Sequence, residues 1–113
     1  MSPIARKLLA LNGAAVLFLT LTSPVPVSAA DDPNTIVVKS FMFAPVNLTV
    51  KVGAKVTWMN KDEEPHTVLS DQGLFRSSAM DTDQSFSYQF DKPGTYHYLC
   101  SIHPRMVGTI TVE

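Results

Sequence analysis

The sequence predicts an all-β fold, a Greek-key β-sandwich, on three observations. Strand-length runs of β-branched and aromatic residues recur from Thr35 to the C-terminus, Gly and Pro turns separate them, and no stretch sustains a helical period. The first run is Thr35-Ile36-Val37-Val38-Lys39, with Phe41-Met42-Phe43 following before Pro45. Leu48 to Val52 alternates and stops at Gly53. Lys55 to Asn60 alternates again and puts Val56, Trp58 and Asn60 on one face. After the Lys61-Asp62-Glu63-Glu64 turn, His66 to Leu69 reads as a short strand. Residues 72–82 carry no clear pattern and read as loop or a short helical turn. Then come Ser85 to Phe90, a Lys92-Pro93-Gly94 turn, Thr95 to Leu99, and Gly108 to Val112.

Period-two alternation also assigns faces. Tyr96, Tyr98 and Cys100 share one side of the penultimate strand, and Phe86, Tyr88 and Phe90 form a matching aromatic side one strand earlier. Taken as the inward faces, they place Cys100 at the inner edge of the sandwich where its strand ends. Gly108 to Val112 then returns antiparallel, and residues 100–106 form a loop at one pole.

The N-terminus reads as an export signal spanning residues 1–30. Arg6 and Lys7 supply a positive start, Leu8 to Leu21 is mostly apolar, and Val27-Ser28-Ala29-Ala30 offers small residues before Asp31. Cleavage is expected after Ala30, with Ala29 the alternative; an uncleaved anchor is the competing reading, which Pro24 and Pro26 disfavour. Residues 31–113 then form a single small domain, expected in the periplasm. Loss of Arg6 and Lys7 leaves seven basic residues against ten acidic ones, a net charge of −3. A weakly acidic surface without a basic cluster argues against nucleic acid and against stable membrane association after cleavage.

The chain has one cysteine. An exported protein with a single cysteine has no internal disulfide, which leaves a stray thiol, an intermolecular bridge or a metal ligand. Cys100 lies in Cys100-Ser101-Ile102-His103-Pro104-Arg105-Met106, and His66 lies upstream after Pro65. One thiolate, two imidazoles and one thioether are the ligand set of a blue-copper electron-transfer site, with two His and one Cys in a trigonal plane and a weak, long axial Met. The short loop brings three of these groups to one metal from a single turn, with Pro104 limiting its freedom. His66 comes from elsewhere, so the fold itself completes the site. The metal candidates are therefore His66, Cys100, His103 and Met106, for one copper ion cycling between Cu(II) and Cu(I).

With those residues in view, the chain resembles the cupredoxins (blue copper proteins) of the plastocyanin/amicyanin family, and the amicyanin branch most closely. The resemblance covers Thr35 to Glu113. It rests on Lys51-Val52-Gly53-x-x-Val56-Thr57-Trp58-x-Asn60, Pro65-His66, Gly94-Thr95-Tyr96 and Cys100-x-x-His103-Pro104-x-Met106-x-Gly108. The tight His-to-Met spacing is that of amicyanins; plastocyanins have a longer one. The resemblance implies a cupredoxin-like sandwich, the same four ligands, and one-electron shuttling between transient redox partners of dehydrogenase or cytochrome type. Family members often carry, after the upstream His, an Asn that bonds across to the Cys loop. Here that residue is Thr67, which retains one hydroxyl donor.

Other residues take plainer roles. His97 lies opposite Tyr96 and Tyr98 and reads as a surface imidazole; Met59 and Met80 read as packing and Trp58 as core. Met42 either packs at the copper pole or fills the core. Asp62-Glu63-Glu64 reads as a solvated turn whose adjacency to His66 suits steering of a basic partner. His103 is expected to be the most exposed ligand, with Ile102, Pro104 and Met42 forming an apolar contact surface around it. The competing functions are a copper chaperone, an enzyme, and a metal-free immunoglobulin-like module. A chaperone usually shows extra surface Met or His clusters. An enzyme needs an open coordination position or a second metal, whereas only three His are present. The favoured reading is a non-enzymatic, monomeric carrier.

Overall fold

The computed structural model describes residues 13, 19, 20 and 32–113; the expected signal segment and its cleavage point lie outside the described residues. Among the described residues, eight strands follow in order: β1 (Thr35–Lys39), β2 (Met42–Ala44), β3 (Asn47–Val50), β4 (Lys55–Asn60), β5 (Leu69–Ser70), β6 (Ser85–Gln89), β7 (Gly94–Leu99) and β8 (Val107–Val112). They form two four-stranded sheets with orders β2-β1-β4-β6 and β3-β8-β7-β5. Pairing is antiparallel except for β1 with β4 and β3 with β8. Chain-adjacent β2 and β3 thus sit in different sheets, as in a sandwich closed by crossovers.

Apolar alternation sets the packing. In β4, Val56, Trp58 and Asn60 are buried while their neighbours are not. Trp58 is the hub of the interior, edge-on to Tyr98 at 5.3 Å and flanked by Phe75 and Phe86. Tyr98 and Cys100 face inward from the β7 side and His97 faces out, as the alternation required. The hydroxyl of Tyr98 is buried among apolar groups, and burial pushes its pKa up to about 12, an effect that Trp58 only partly offsets. Opposite Tyr98 stands Gly108, which needs its missing side chain: a Cβ there would overlap the Tyr98 ring and hydroxyl.

One segment departs from expectation. His66 to Leu69 is not a strand; only Leu69–Ser70 pairs, with β7, and His66 makes a single bridge to Met80. The reason is that two of the segment's central amides go to side chains. The Thr67 N–H points at Cys100 Sγ (3.4 Å), and the Val68 N–H is taken by Ser77 Oγ (2.8 Å). Residues 72–82 take the loop alternative, pinned by Phe75, Ser77 and Met80, all buried. Met42 does neither of the two things expected of it: it lies in edge strand β2 and is 58% exposed.

Candidate metal centre

The upstream imidazole is delivered by a turn that Asn60 builds. Asn60 is fully buried at the end of β4; its Nδ2 donates to the carbonyls of Glu64 (2.9 Å) and Met80 (2.8 Å), and its Oδ1 accepts the Asp62 N–H (2.9 Å). Every polar group of the amide that a turn can use is therefore spent. The folded-back turn brings the Asp62 carboxylate onto His66 four residues later, with Asp62 Oδ2 2.9 Å from His66 Nε2. The His66 contact, followed by the Phe41 N–H, holds the Asp62 carboxyl below its usual value of 3.8. An ionised carboxylate only accepts, so Nε2 carries a proton, and Nδ1 is the ring nitrogen that faces the Cys100 sulfur. Asp62 is thus not the solvated turn residue the sequence suggested.

Cys100 follows β7 directly, and the loop behind it is closed by two backbone bonds, Cys100 N–H to Met106 O (3.0 Å) and Met106 N–H to His103 O (2.9 Å). Thr67 ties this loop to the His66 segment. Its Oγ1 accepts the Ser101 N–H (2.7 Å), lies 2.7 Å from Ser101 Oγ, and approaches Cys100 Sγ at 3.7 Å. The cross-loop bond left to Thr67 is present, and its backbone amide adds a second contact to the sulfur. Burial pushes the Cys100 thiol up, but the Thr67 amide and the His66 and His103 contacts outweigh it and bring it from 9.0 down to about 6.

These elements bring His66, Cys100 and His103 together. Their ligand atoms all lie within 4.8 Å of one another. Cys100 Sγ is 3.8 Å from His66 Nδ1 and 3.8 Å from His103 Nδ1. A metal bonded in one plane at roughly 2.0 Å to nitrogen and 2.3 Å to sulfur, the lengths typical of zinc, spaces N and S by about 3.7 Å at trigonal angles. The donor set therefore fits a metal of copper size, with one soft sulfur and two imidazoles. Met106 is buried in the same loop and lines the same surface groove as His103.

His66 and Cys100 are fully buried, whereas His103 is half-buried. It opens onto a groove of about 440 Å³ lined by Phe41, Ile102, His103, Pro104, Arg105 and Met106. Ile102 and Pro104 stand where expected; Phe41, not Met42, completes the apolar lining. Phe41 and Asp62 were not identified from sequence, since each acts across a long sequence separation: the Phe41 N–H donates to Asp62 Oδ2 at 3.1 Å, 21 residues away. His97 is an exposed imidazole 3.2 Å from Thr109 Oγ1 and takes no part in the centre.

Residues 11–112 match the family described as Cupredoxin-like domain. Amicyanin of Paracoccus versutus is 36% identical over 103 residues, covering 84% of this chain and 78% of that protein. Plastocyanin of Scenedesmus fuscus is 34% identical over 87 residues, covering 66% and 89%. Among solved structures, the Cu(I) form of an amicyanin variant superposes with a TM-score of 0.68 at 33% identity, covering 81% of this chain and 95% of that one.

Proposed function

The chain belongs to the cupredoxin-like family, and from that premise we propose that it is a type 1 (blue) copper protein, a soluble periplasmic carrier of single electrons rather than an enzyme. One observation carries the reading: a cysteine sulfur 3.8 Å from each of two imidazole Nδ1 atoms, on a loop that also holds a buried methionine. His66, Cys100, His103 and Met106 would hold one copper ion. When bound, copper supplies the Cu(II)/Cu(I) couple, and the mixed soft and borderline donors suit both states.

The protein's own residues supply the rest. Asp62 occupies Nε2 and fixes the ring orientation of His66, so Nδ1 is the nitrogen turned toward the metal position. Thr67 and Ser101 hold the Cys100 loop against the His66 segment, which keeps the donors in place whatever the charge at the centre. The Thr67 amide stabilises negative charge on sulfur. His103, the one half-buried member, is the route by which electrons leave and enter, and the apolar groove around it is the surface a partner covers. A weak, short-lived interface suits a shuttle, and its partners are redox proteins of dehydrogenase or cytochrome type.

Export fits the same reading. Residues 1–30 would be removed as a signal, and residues 31–113 would act as the monomeric carrier in the periplasm. Copper ligation would also protect a lone thiol in an oxidising compartment.

Voltammetry of the copper-loaded protein tests the carrier role. A reversible one-electron wave with rapid self-exchange is expected. Copper that is bound but irreversibly lost on reduction would favour a metal-delivery protein instead.

A further inference from the structure

The turn between β1 and β2 consists of two residues, Ser40 and Phe41, flanked by the Lys39–Met42 pair. Both are left-handed, with φ of 53° and 58°. A two-residue hairpin of this kind favours Asn-Gly, because both central residues must take positive φ. A bulky aromatic is out of place there. The hydrophobic core does not explain it either, since Phe41 is 47% exposed. What the ring does meet is the metal centre. It stands edge-on to the His66 imidazole (centroids 5.5 Å, 85°) and to the His103 imidazole (5.0 Å, 83°), which are 5.0 Å from each other. Its backbone N–H is anchored on Asp62 Oδ2, the same oxygen that faces His66 Nε2.

From this geometry we infer that Phe41 is the cap of the metal centre, a positioning residue that keeps small exogenous ligands such as water and anions from the metal and limits the swing of His103. The inference rests on the copper reading above. Conformational strain held at one residue is expected where the surroundings enforce it for function. Here two imidazoles and a shared carboxylate enforce it. His103 is the donor that needs such a brace. It sits half-exposed on the loop, whereas His66 is enclosed and tied to Asp62.

A cap and a mere packing residue predict opposite effects of Phe41→Gly. Glycine adopts positive φ without penalty, so the metal-free variant should keep or raise its Tm. With copper, the same variant should lose the metal to a chelator about tenfold faster or more, the scale typical of groups that brace metal ligands. Titration with azide should change its visible and EPR spectra where the parent protein shows no change, and Phe41→Leu should restore much of the protection. Phe41→Gly with parental copper retention and no response to azide would overturn the cap. So would a loss of copper accompanied by an equal fall in metal-free Tm that Phe41→Leu does not rescue. A parent protein without any thiolate-to-copper band would instead remove the copper reading itself, and the cap with it.

Discussion

At the residue scale the centre depends on a sulfur made anionic before any metal arrives. Cys100 is held near a pKa of about 6 against an ordinary 9.0. A group whose folded pKa is depressed contributes stability above its unfolded pKa, and loses that contribution as pH falls to the folded value. The metal-free protein should therefore become steadily more stable from pH 6 to pH 9. Thermal melts across that range should show the slope, and Cys100→Ser should abolish it; a slope unchanged in the variant would mean the thiol is not the source. Asp62 follows the same sign lower down. Its carboxyl sits below 3.8, so its hold on His66 persists at neutral pH and fails only in stronger acid.

At the element scale, the strands were legible in sequence wherever alternation met a buried face. Val56, Trp58 and Asn60 fall on the inner side of β4, and Tyr98 and Cys100 on the inner side at β7, as period two requires. The pole was legible too, because Cys100, His103 and Met106 lie within one loop. His66 to Leu69 was misread as a strand because its hydrophobic pattern cannot reveal that Ser77 and Cys100 claim its amides. Phe41 and Asp62 were missed for a related reason: their roles exist only once the β1–β2 turn is folded beside the β4 turn. Asn60 is the element-scale keystone. Asn60→Ala would leave the Glu64 carbonyl and the Asp62 amide without partners, the Met80 carbonyl keeping only the His66 N–H, and chemical denaturation should register a loss of about 2 kcal/mol or more. Gly108→Ala should cost about 1–3 kcal/mol by driving a methyl into Tyr98. A second substitution that shrinks residue 98, Tyr98→Phe, should recover part of that loss, since the hydroxyl is among the atoms the methyl would meet.

At the scale of the whole molecule, charge is unevenly placed. Asp62, Glu63 and Glu64 are joined to the Asp81–Asp83 loop through the Thr82 hydroxyl on the Asp62 carbonyl (2.7 Å) and the Lys61–Asp83 ion pair (2.7 Å). Five carboxylates thus gather, with Lys61 among them, on the turn that leads into His66 and the loop bonded to it, while Arg105 lines the groove itself. Such a field raises encounter rates with cationic partners and is screened by salt. Electron exchange with a cationic probe such as hexaammineruthenium should slow as ionic strength rises, and exchange with anionic ferricyanide should not. Glu63→Lys with Glu64→Lys should weaken or reverse that difference. Equal salt dependence for both probes would show that the acidic flank does not act at the electron port.

The central claim is that His66, Cys100 and His103 converge on one copper through the Cys100 sulfur. It is tested most directly by the visible absorption spectrum of the purified protein after addition of Cu(II), recorded beside Cys100→Ser. An intense thiolate-to-copper band that saturates at one copper per chain, and is absent from the variant, is the expected result. A pale protein with only weak absorption, or a band that survives in Cys100→Ser, would contradict the account.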